Sequence, residues 1–277
     1  MTTRDSLFPG KQFISTVLDA LDTKTAMSGQ LTRRYLMRAA MAGIVIGVMY
    51  GTNYAVIAAF AGVGDGTLTP VGRMVGALFF GWALVFIYYS KSELLTSNMM
   101  IVSIGAYHRR TSWAHALRLL GLCYVGNALG GLFVALLIRV STLVDGPALV
   151  QMQAAVEHKL EFITSGPGGM LDLLVRAILC NFMINLAMLL VYNGLIKDDL
   201  TKCLVMVMSV FVFAFVGFEH SVANTVLFTI AGLQGALDLG PAVANVAIAL
   251  LGNFLGGGVL IGLYYAYVND DQRYSDA

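Results

Sequence analysis

The chain is poor in charge, in cysteine and in proline. Only 12% of its 277 residues are charged, and the net charge is +1. A soluble domain carries about 25% charged residues, so a soluble enzyme, a disordered chain and a nucleic-acid-binding protein are disfavoured. The three cysteines lie in apolar stretches without a C-x-x-C pair, which excludes a disulfide framework and indicates small buried side chains. No nucleotide-binding loop is present, and we expect no cofactor.

Apolar residues supply most of what remains. The chain is 58% hydrophobic, and a helix needs about 20 apolar residues to cross the bilayer. We expect no secretory signal peptide, because the first apolar run begins late and is too long. These features predict an all-α membrane protein embedded in the lipid bilayer. Its six spans are expected at residues 36–63, 71–104, 116–138, 171–195, 200–231 and 242–268.

The segments outside the transport domain of residues 36–268 are short. Residues 1–35 carry apolar side chains at helical spacing and predict an amphipathic helix on the cytoplasmic surface. Residues 269–277 form a tail. Most Lys and Arg residues lie in the N-terminal segment, in the second-to-third and fourth-to-fifth connections and in the tail. The positive-inside rule therefore predicts a multi-pass protein of the inner (plasma) membrane with both termini cytoplasmic.

Two polar interruptions divide the second and fifth spans, at residues 90–98 and 217–224. They align at an offset of 126 residues, and so do two G-N-x-L-G-G elements in the third and sixth spans. The first and fourth spans align at an offset of 138 through an Arg-Ala pair. Because three spans are an odd number, we predict an inverted 3+3 repeat whose two broken helices mark the substrate path. The matched polar residues at the breaks are Glu93 with Glu219 and Asn98 with Asn224.

Ionisable residues inside spans are costly and mark functional sites. A carboxylate before a resumed helix can accept its free backbone N–H groups, so we favour this supporting role for Glu93 and Glu219 over contact with substrate. Asn98 and Asn224 are expected to support the breaks with them. Lys91 has three open interpretations: it reaches the cytoplasmic face, pairs with Glu93, or attracts anions to the inner mouth.

His220 lies in the second break, where a pore would narrow, and imidazole titrates near neutral pH. We favour a functional role over that of a core histidine bonded to a hydroxyl such as Thr96, although both can hold. Phe80 and Leu84 share a helix face upstream of the first break, and Phe213 precedes the second. Taken alone, such residues are more often lipid-facing or core residues than a gate.

Three motifs in order resemble the formate/nitrite transporter family over about residues 30–268. Residues 217–224 read G-F-E-H-S-V-A-N and are similar to its G-[FY]-E-H-S-[IV]-A-N signature. Residues 93–97 read E-L-L-T-S, like its [DE]-L-F-T-[SG]. Residues 179–187 read L-C-N-F-M-I-N-L-A, like its L-C-N-W-L-V-C-L-A.

The resemblance implies an aquaporin-like fold in a homopentamer with one pore per protomer. It implies passage of a small anion, with formate first and nitrite or hydrosulfide as alternatives. Because a neutral acid crosses an apolar constriction more cheaply than an anion, our hypothesis is proton-coupled transport, with the proton coming from His220 or from water relayed through it. By motif position, His220 is the central histidine and Thr96 its partner. Phe80 and Leu84 correspond to the outer constriction and Phe213 to the inner one. Lys159 corresponds to the vestibule lysine, and Asn181 and Asn253 to pore-region asparagines.

The sequence also departs from the family pattern. Glu93 replaces an aspartate, Phe182 a tryptophan and Leu95 a phenylalanine, while Lys91 adds a charge. Leu95 and Lys91 lie beside the gate, so the anion and the choice between channel and proton-coupled carrier stay open.

Two other classes of function are disfavoured. An enzyme would need a nucleophile–base pair, but Ser221 follows His220 directly and helical neighbours do not face each other. No G-x-S-x-G is present. A water or glycerol channel would carry paired N-P-A elements, which this chain lacks.

Overall fold

The computed structural model of the chain describes residues 7–235 and 237–271. Residues 1–6 of the predicted N-terminal segment and 272–277 of the predicted tail lie outside these ranges. Within them the chain is helical, with no strand. The helices are α1 Lys11–Gln30, α2 Thr32–Ala61, α3 Thr69–Tyr89, α4 Leu95–Tyr107, α5 Trp113–Arg139, α6 Gly146–Thr164, α7 Pro167–Tyr192, α8 Asp199–Val216, α9 Ser221–Gln234 and α10 Leu239–Asn253.

Within residues 7–235 and 237–271, six helices are long and apolar enough to cross a membrane, which confirms the predicted number of spans. They are α2, α3, α5, α7, α8 and the continuous helix that starts with α10 and ends at Val268. The predicted second span is divided into α3 and α4, and the predicted fifth span into α8 and α9. Both breaks contain a residue with positive φ, Lys91 at 56° and Gly217 at 82°. The chain is therefore a multi-pass membrane protein with two interrupted spans.

The connection between the third and fourth spans holds α6, a helix that we did not predict. Its buried side chains, Met152, Val156 and Phe162, lie on a face that packs against α2, α7 and α10. Leu149 and Leu160 extend the same apolar face. This i, i+3, i+4 spacing is that of an amphipathic helix, so the sequence did hold the signal.

The N-terminal helix α1 packs on the protein. Its buried residues Phe13, Val17 and Leu21 recur at helical spacing, and the Phe13 ring lies 6.1 Å from the ring of Tyr265. The apolar face of α1 contacts α4, the half-helix that follows the first break. The amphipathic pattern therefore serves to cover α4.

Glycines allow the closest crossings between spans, and the two halves place them alike. A Cβ atom at Gly130 would collide with the carbonyl oxygen of Ala40, and one at Gly256 with that of Ile178. Gly130 and Gly256 are 126 residues apart, whereas Ala40 and Ile178 are 138 apart. These are the two offsets of the predicted repeat, so the third and first spans meet as the sixth and fourth do. Small residues at such crossings let membrane helices approach closely.

Beyond α10 the last span becomes a π-helix over Phe254–Leu263, followed by the α-helical turn Tyr264–Val268. Glycines crowd this stretch, and Gly258 and Gly262 face Ser103 of α4. A π-helix is wider than an α-helix and is frequently found at functional sites. Here it packs against α4 and α7 behind the first break.

Candidate functional site

A single asparagine holds the backbone at the first break. Asn127 of α5 accepts a hydrogen bond at Oδ1 from the N–H of Leu95, the first residue of α4, at 3.1 Å. Its Nδ2 donates to the carbonyl oxygens of Ala39 and Glu93, both at 2.8 Å. Asn127 is fully buried. It satisfies backbone groups that no water reaches, which is the condition for irregular backbone inside a membrane.

The second break is held in the same way by Asn253, at the end of α10. Its Oδ1 accepts from the N–H of Ser221 at 2.8 Å, and its Nδ2 donates to the carbonyl oxygens of Ala177 and Glu219 at 2.8 and 2.9 Å. Each partner stands at the repeat offset from its counterpart in the first half. Asn253, expected among the pore-region asparagines, thus binds backbone at a break.

An arginine closes each break from the other side. Arg38 Nε donates to the carbonyl oxygen of Lys91 at 2.7 Å, and Arg176 Nη1 donates to that of Gly217 at 2.9 Å. The N–H groups of Glu93 and Glu219 donate to the carbonyl oxygens of Arg38 and Arg176. The Arg-Ala pairs that aligned the first and fourth spans therefore perform the same task in both halves.

The structure corrects the expected role of the two glutamates. The first N–H groups of the resumed helices are bound by Asn127 and Asn253, whereas the carboxylates of Glu93 and Glu219 accept hydrogen bonds from side chains. Glu93 accepts hydrogen bonds from Lys24 and, at 3.2 Å, from Asn98 Nδ2, and Arg38 Nη2 lies 3.6 Å from its Oε1. Sequence reasoning found the buried carboxylates and missed what they bind.

Glu219 has a corresponding lysine and asparagine in the second half. Lys159 Nζ donates to its Oε1 at 2.7 Å and Asn224 Nδ2 to its Oε2 at 2.6 Å. Asn224 also donates to Asn245 Oδ1 at 2.9 Å. Lys24 comes from α1 and Lys159 from α6, the helices that precede each three-span half. Each half therefore brings one lysine to the buried carboxylate at its break.

His220 and Thr96 meet across the two breaks. His220 Nε2 lies 3.1 Å from Thr96 Oγ1, and His220 Nδ1 accepts a hydrogen bond from the N–H of Ala223 at 3.1 Å. Because a backbone N–H only donates, Nδ1 is unprotonated, and the neutral ring carries its proton on Nε2 and donates to Thr96. His220 is thus both the N-cap of α9 and the partner of Thr96.

A cavity of about 520 Å³, the Lys159 cavity, ends at His220. Aromatic rings follow one another along its wall: Tyr50 lies 4.8 Å from Phe80, Phe80 lies 6.3 Å from Phe213, and Phe213 lies 5.9 Å from His220, between ring centroids. Its charged lining residues are Arg73, Lys159, Arg176 and Glu219.

A second cavity of about 250 Å³, the Lys24 cavity, is lined by Leu84, Leu94 and Ser97. Its charged lining residues are Lys24, Arg38, Lys91 and Glu93. The expected grouping of the constriction residues is therefore corrected. Phe80 lies with Phe213 on the Lys159 cavity, whereas Leu84 lies on the Lys24 cavity, because one turn of α3 separates them along the span.

Lys91 does not pair with Glu93 within the described residues. Its Nζ lies 5.1 Å from the ring centroid of Tyr88, and the side chain is exposed at the Lys24 cavity. Of the three interpretations of Lys91, pairing with Glu93 is the one that the structure disfavours.

Asn181 lies buried behind the site and lines neither cavity. Its Nδ2 donates to the carbonyl oxygens of Thr96 at 3.1 Å and Asn253 at 2.7 Å. Asn185, which we did not single out, donates to the same Thr96 oxygen at 3.1 Å. The two asparagines fix the first turn of α4, and with it the position of the Thr96 hydroxyl.

Two further residues escaped sequence reasoning, for different reasons. Asn127 stands in the first G-N-x-L-G-G element where Asn253 stands in the second, so the repeat already pointed to it. Lys24 gave no such signal, because its partner Glu93 is 69 residues away.

Six apolar spans, two polar helix breaks and a cationic cavity that ends at a histidine define a channel or transporter for a small anion. The chain belongs to the formate/nitrite transporter family, since the family model described as Formate/nitrite transporter matches residues 11–267. It is 31% identical over 244 residues to the Uncharacterized transporter YwcJ of Bacillus subtilis, covering 86% of this chain and 90% of that protein. It is 28% identical to the Nitrite transporter NirC of Salmonella typhimurium, covering 84% and 82%.

Solved structures share the fold. An FNT family ion channel aligns with a TM-score of 0.79 at 25% identity, covering 94% of this chain and 100% of that one. A Pentameric formate channel with formate bound aligns with a TM-score of 0.71 at 23% identity, covering 86% and 98%. The family resemblance and the fold class expected from the sequence are confirmed. The protein is an anion channel or transporter of the formate/nitrite transporter family.

Proposed function

We propose that this protein carries formate across the inner membrane as a homopentamer with one pore in each protomer. The observation that carries the proposal is the buried Thr96–His220 pair at the end of the cationic Lys159 cavity. Membership of the family and the likeness to a pentameric formate channel support the substrate and the assembly. Transport is favoured over catalysis, because His220 is bonded to Thr96 and Ala223 and not to Ser221.

The Lys159 cavity serves as the outer vestibule and the Lys24 cavity as the inner one. This orientation rests on the positive-inside rule, which places α1 and its Lys24 in the cytoplasm. Phe80 and Phe213 form the outer constriction, and Leu84 with Leu94 the inner one. An anion crosses such apolar constrictions at high cost, whereas a neutral acid crosses them readily.

His220 acts as a hydrogen-bond donor in this path. Its Nδ1 holds the N-terminus of α9, where the positive end of the helix dipole disfavours an imidazolium ion. The Nε2–H then bonds Thr96 or the arriving anion, while the proton that neutralises formate comes from a hydronium ion of the outer solution, which leaves neutral water in the vestibule. Lys159, held by Glu219, keeps the anion near that water. Formate flux therefore rises as the external pH falls.

The test is a liposome assay of formate, nitrite and hydrosulfide flux at two external pH values, with a His220→Phe variant beside the parent protein. We expect formate flux that increases at the lower pH in the parent and is lost in the variant. Proton coupling that persists in His220→Phe would remove the histidine from the mechanism. A parent protein that conducts nitrite or hydrosulfide in preference to formate would assign it that alternative substrate.

A further inference from the structure

The Lys159 cavity contains one cation whose charge no carboxylate offsets within the described residues. Three of its lining residues are cationic and one, Glu219, is anionic. Lys159 is paired with Glu219 at 2.7 Å, and Arg176 with Asp172 at 2.9 Å. Arg73 makes no ion pair or side-chain hydrogen bond with any described residue, and its side chain is exposed.

The position of Arg73 is fixed by the fold. It lies in the second turn of α3, ahead of Phe80 on the same helix. Both residues line the Lys159 cavity, together with Tyr54 of α2. Because Phe80 belongs to the aromatic wall that leads to His220 and Arg73 precedes it by seven residues, the guanidinium stands about two helical turns before the constriction.

A guanidinium presents parallel N–H donors that match an anion with two oxygens on one atom. Formate and nitrite both have this planar shape, whereas hydrosulfide offers a single sulfur atom and accepts no such paired bonds. A paired lysine such as Lys159 attracts any anion as a point charge that its carboxylate partly offsets, and it does not distinguish anions by shape. The free guanidinium of the cavity is therefore the group suited to select the two-oxygen anions.

We propose that Arg73 is the anion-capture residue of the Lys159 cavity and gives the protein its preference for planar two-oxygen anions, formate and nitrite, over hydrosulfide. The proposal rests on the transport function stated above. It assigns substrate selection to the approach to the constriction, where the anion is still charged. The constriction and His220 then act on anions that Arg73 has already concentrated.

Two substitutions separate charge from geometry. Arg73→Gln removes the charge and is expected to raise the half-saturating concentration of formate and nitrite by roughly tenfold, the effect of losing a charge-assisted bidentate pair. The maximum flux should stay unchanged. Arg73→Lys keeps the charge but loses the paired N–H donors of the guanidinium. It should therefore raise the half-saturating concentrations of formate and nitrite and leave that of hydrosulfide at the parent value. Arg139→Gln, an exposed arginine outside both cavities, is the matched control.

A second measurement needs no transport. The same variants in detergent are compared for thermal stabilisation by sodium formate against sodium chloride at equal ionic strength. Arg73→Gln is expected to lose most of the formate-specific stabilisation that the parent and Arg139→Gln share. The proposal would be overturned if Arg73→Gln and the parent had the same half-saturating concentrations of formate and nitrite and the same thermal stabilisation by formate. If the parent conducts none of the three anions but formate stabilises it through Arg73, the transport proposal fails and anion capture stands.

Discussion

The two helix breaks are built on one framework and differ in the residues that face the substrate path. Asn127 and Asn253 make the same three hydrogen bonds, and Lys24 and Lys159 bind the corresponding carboxylates. At the position of His220, however, the first break has Leu94. The repeat therefore preserves what holds broken helices in a membrane, while the chemistry is placed in one half.

The two cavities show the same division. Each contains one buried glutamate, a lysine bound to it and an arginine that closes the break. Each cavity also contains one further cation, Arg73 in the Lys159 cavity and Lys91 in the Lys24 cavity. Neither has a cationic counterpart at the repeat offset. Features shared by the halves concern stability, and unshared features concern selection. Four pairs of substitutions test this division.

The largest effect is expected where the halves differ. His220→Leu makes the second break like the first, and loss of a hydrogen bond worth about 1.5–3 kcal/mol to a charged partner predicts a roughly 10- to 100-fold fall in formate flux. His220→Asn keeps an N-cap acceptor for α9, but its amide N–H₂ sits on a shorter side chain and no longer donates from the position of Nε2, so its stability should be preserved and its flux reduced. His115→Leu, outside both cavities, is the control, and flux in liposomes is the measurement. Unchanged flux in His220→Leu contradicts the asymmetry.

The next effect tests the shared framework. Asn127→Ala and Asn253→Ala each remove three buried hydrogen bonds, and at about 1 kcal/mol per bond each should lose about 3 kcal/mol of stability. Both variants should show similar falls in melting temperature in detergent. Asn193→Ala is the control, because the Asn193 Oδ1 accepts only from Leu195, in a loop, among the residues that the structure describes. A large effect in one asparagine and none in the other argues against equivalent breaks.

A smaller effect is expected at the two ion pairs. Lys24→Met and Lys159→Met each leave a buried glutamate without its lysine, which costs about 1–3 kcal/mol for side chains that retain some solvent contact. The loss should be smaller at Glu93, because Arg38 Nη2 still lies 3.6 Å from its Oε1. Thermal unfolding of both variants measures it. Adding Glu93→Gln to Lys24→Met, or Glu219→Gln to Lys159→Met, should restore part of the loss by removing the uncompensated charge. If either double variant is less stable than its lysine variant, the uncompensated charge is not the cause of the loss.

The smallest effect concerns the N-caps of α5 and α10. Ser112 accepts from the N–H of His115 at 3.3 Å, and Asp238 from that of Gly240 at 3.2 Å. Ser112→Ala and Asp238→Ala should each cost about 1 kcal/mol or less, because both caps are exposed to solvent. Ser112→Asp should retain the cap and the parent's melting temperature. A loss as large as that of the asparagine variants contradicts the ranking.

Much of the framework was readable from the sequence because it is local. Hydropathy marked the spans, and Glu93 and Glu219 marked the breaks, since charges interrupt apolar runs wherever they occur. Helix α6 was missed because its apolar residues are sparse, and the segment was therefore interpreted as a connection between spans. The composition of the last span does not predict the π-helix, because its wider turns occur where glycines pack against α4.

The site was only partly predictable. His220 and Thr96 could be paired through the family resemblance, and their contact is present. Phe80 and Phe213 were assigned to opposite constrictions, because spacing along a helix gives a face and not a position relative to another helix. Lys24 was not considered, although it occupies in one half the place that Lys159 holds in the other.

By itself the sequence determined six spans, two breaks and an internal repeat, because hydrophobicity and helical period act between near neighbours. Only the tertiary structure decided which groups meet. Thr96 and His220 are 124 residues apart, and Lys159 and Glu219 are 60 apart. Contacts of this kind depend on how whole helices cross, since a buried polar group must find its partner on another helix where water is absent.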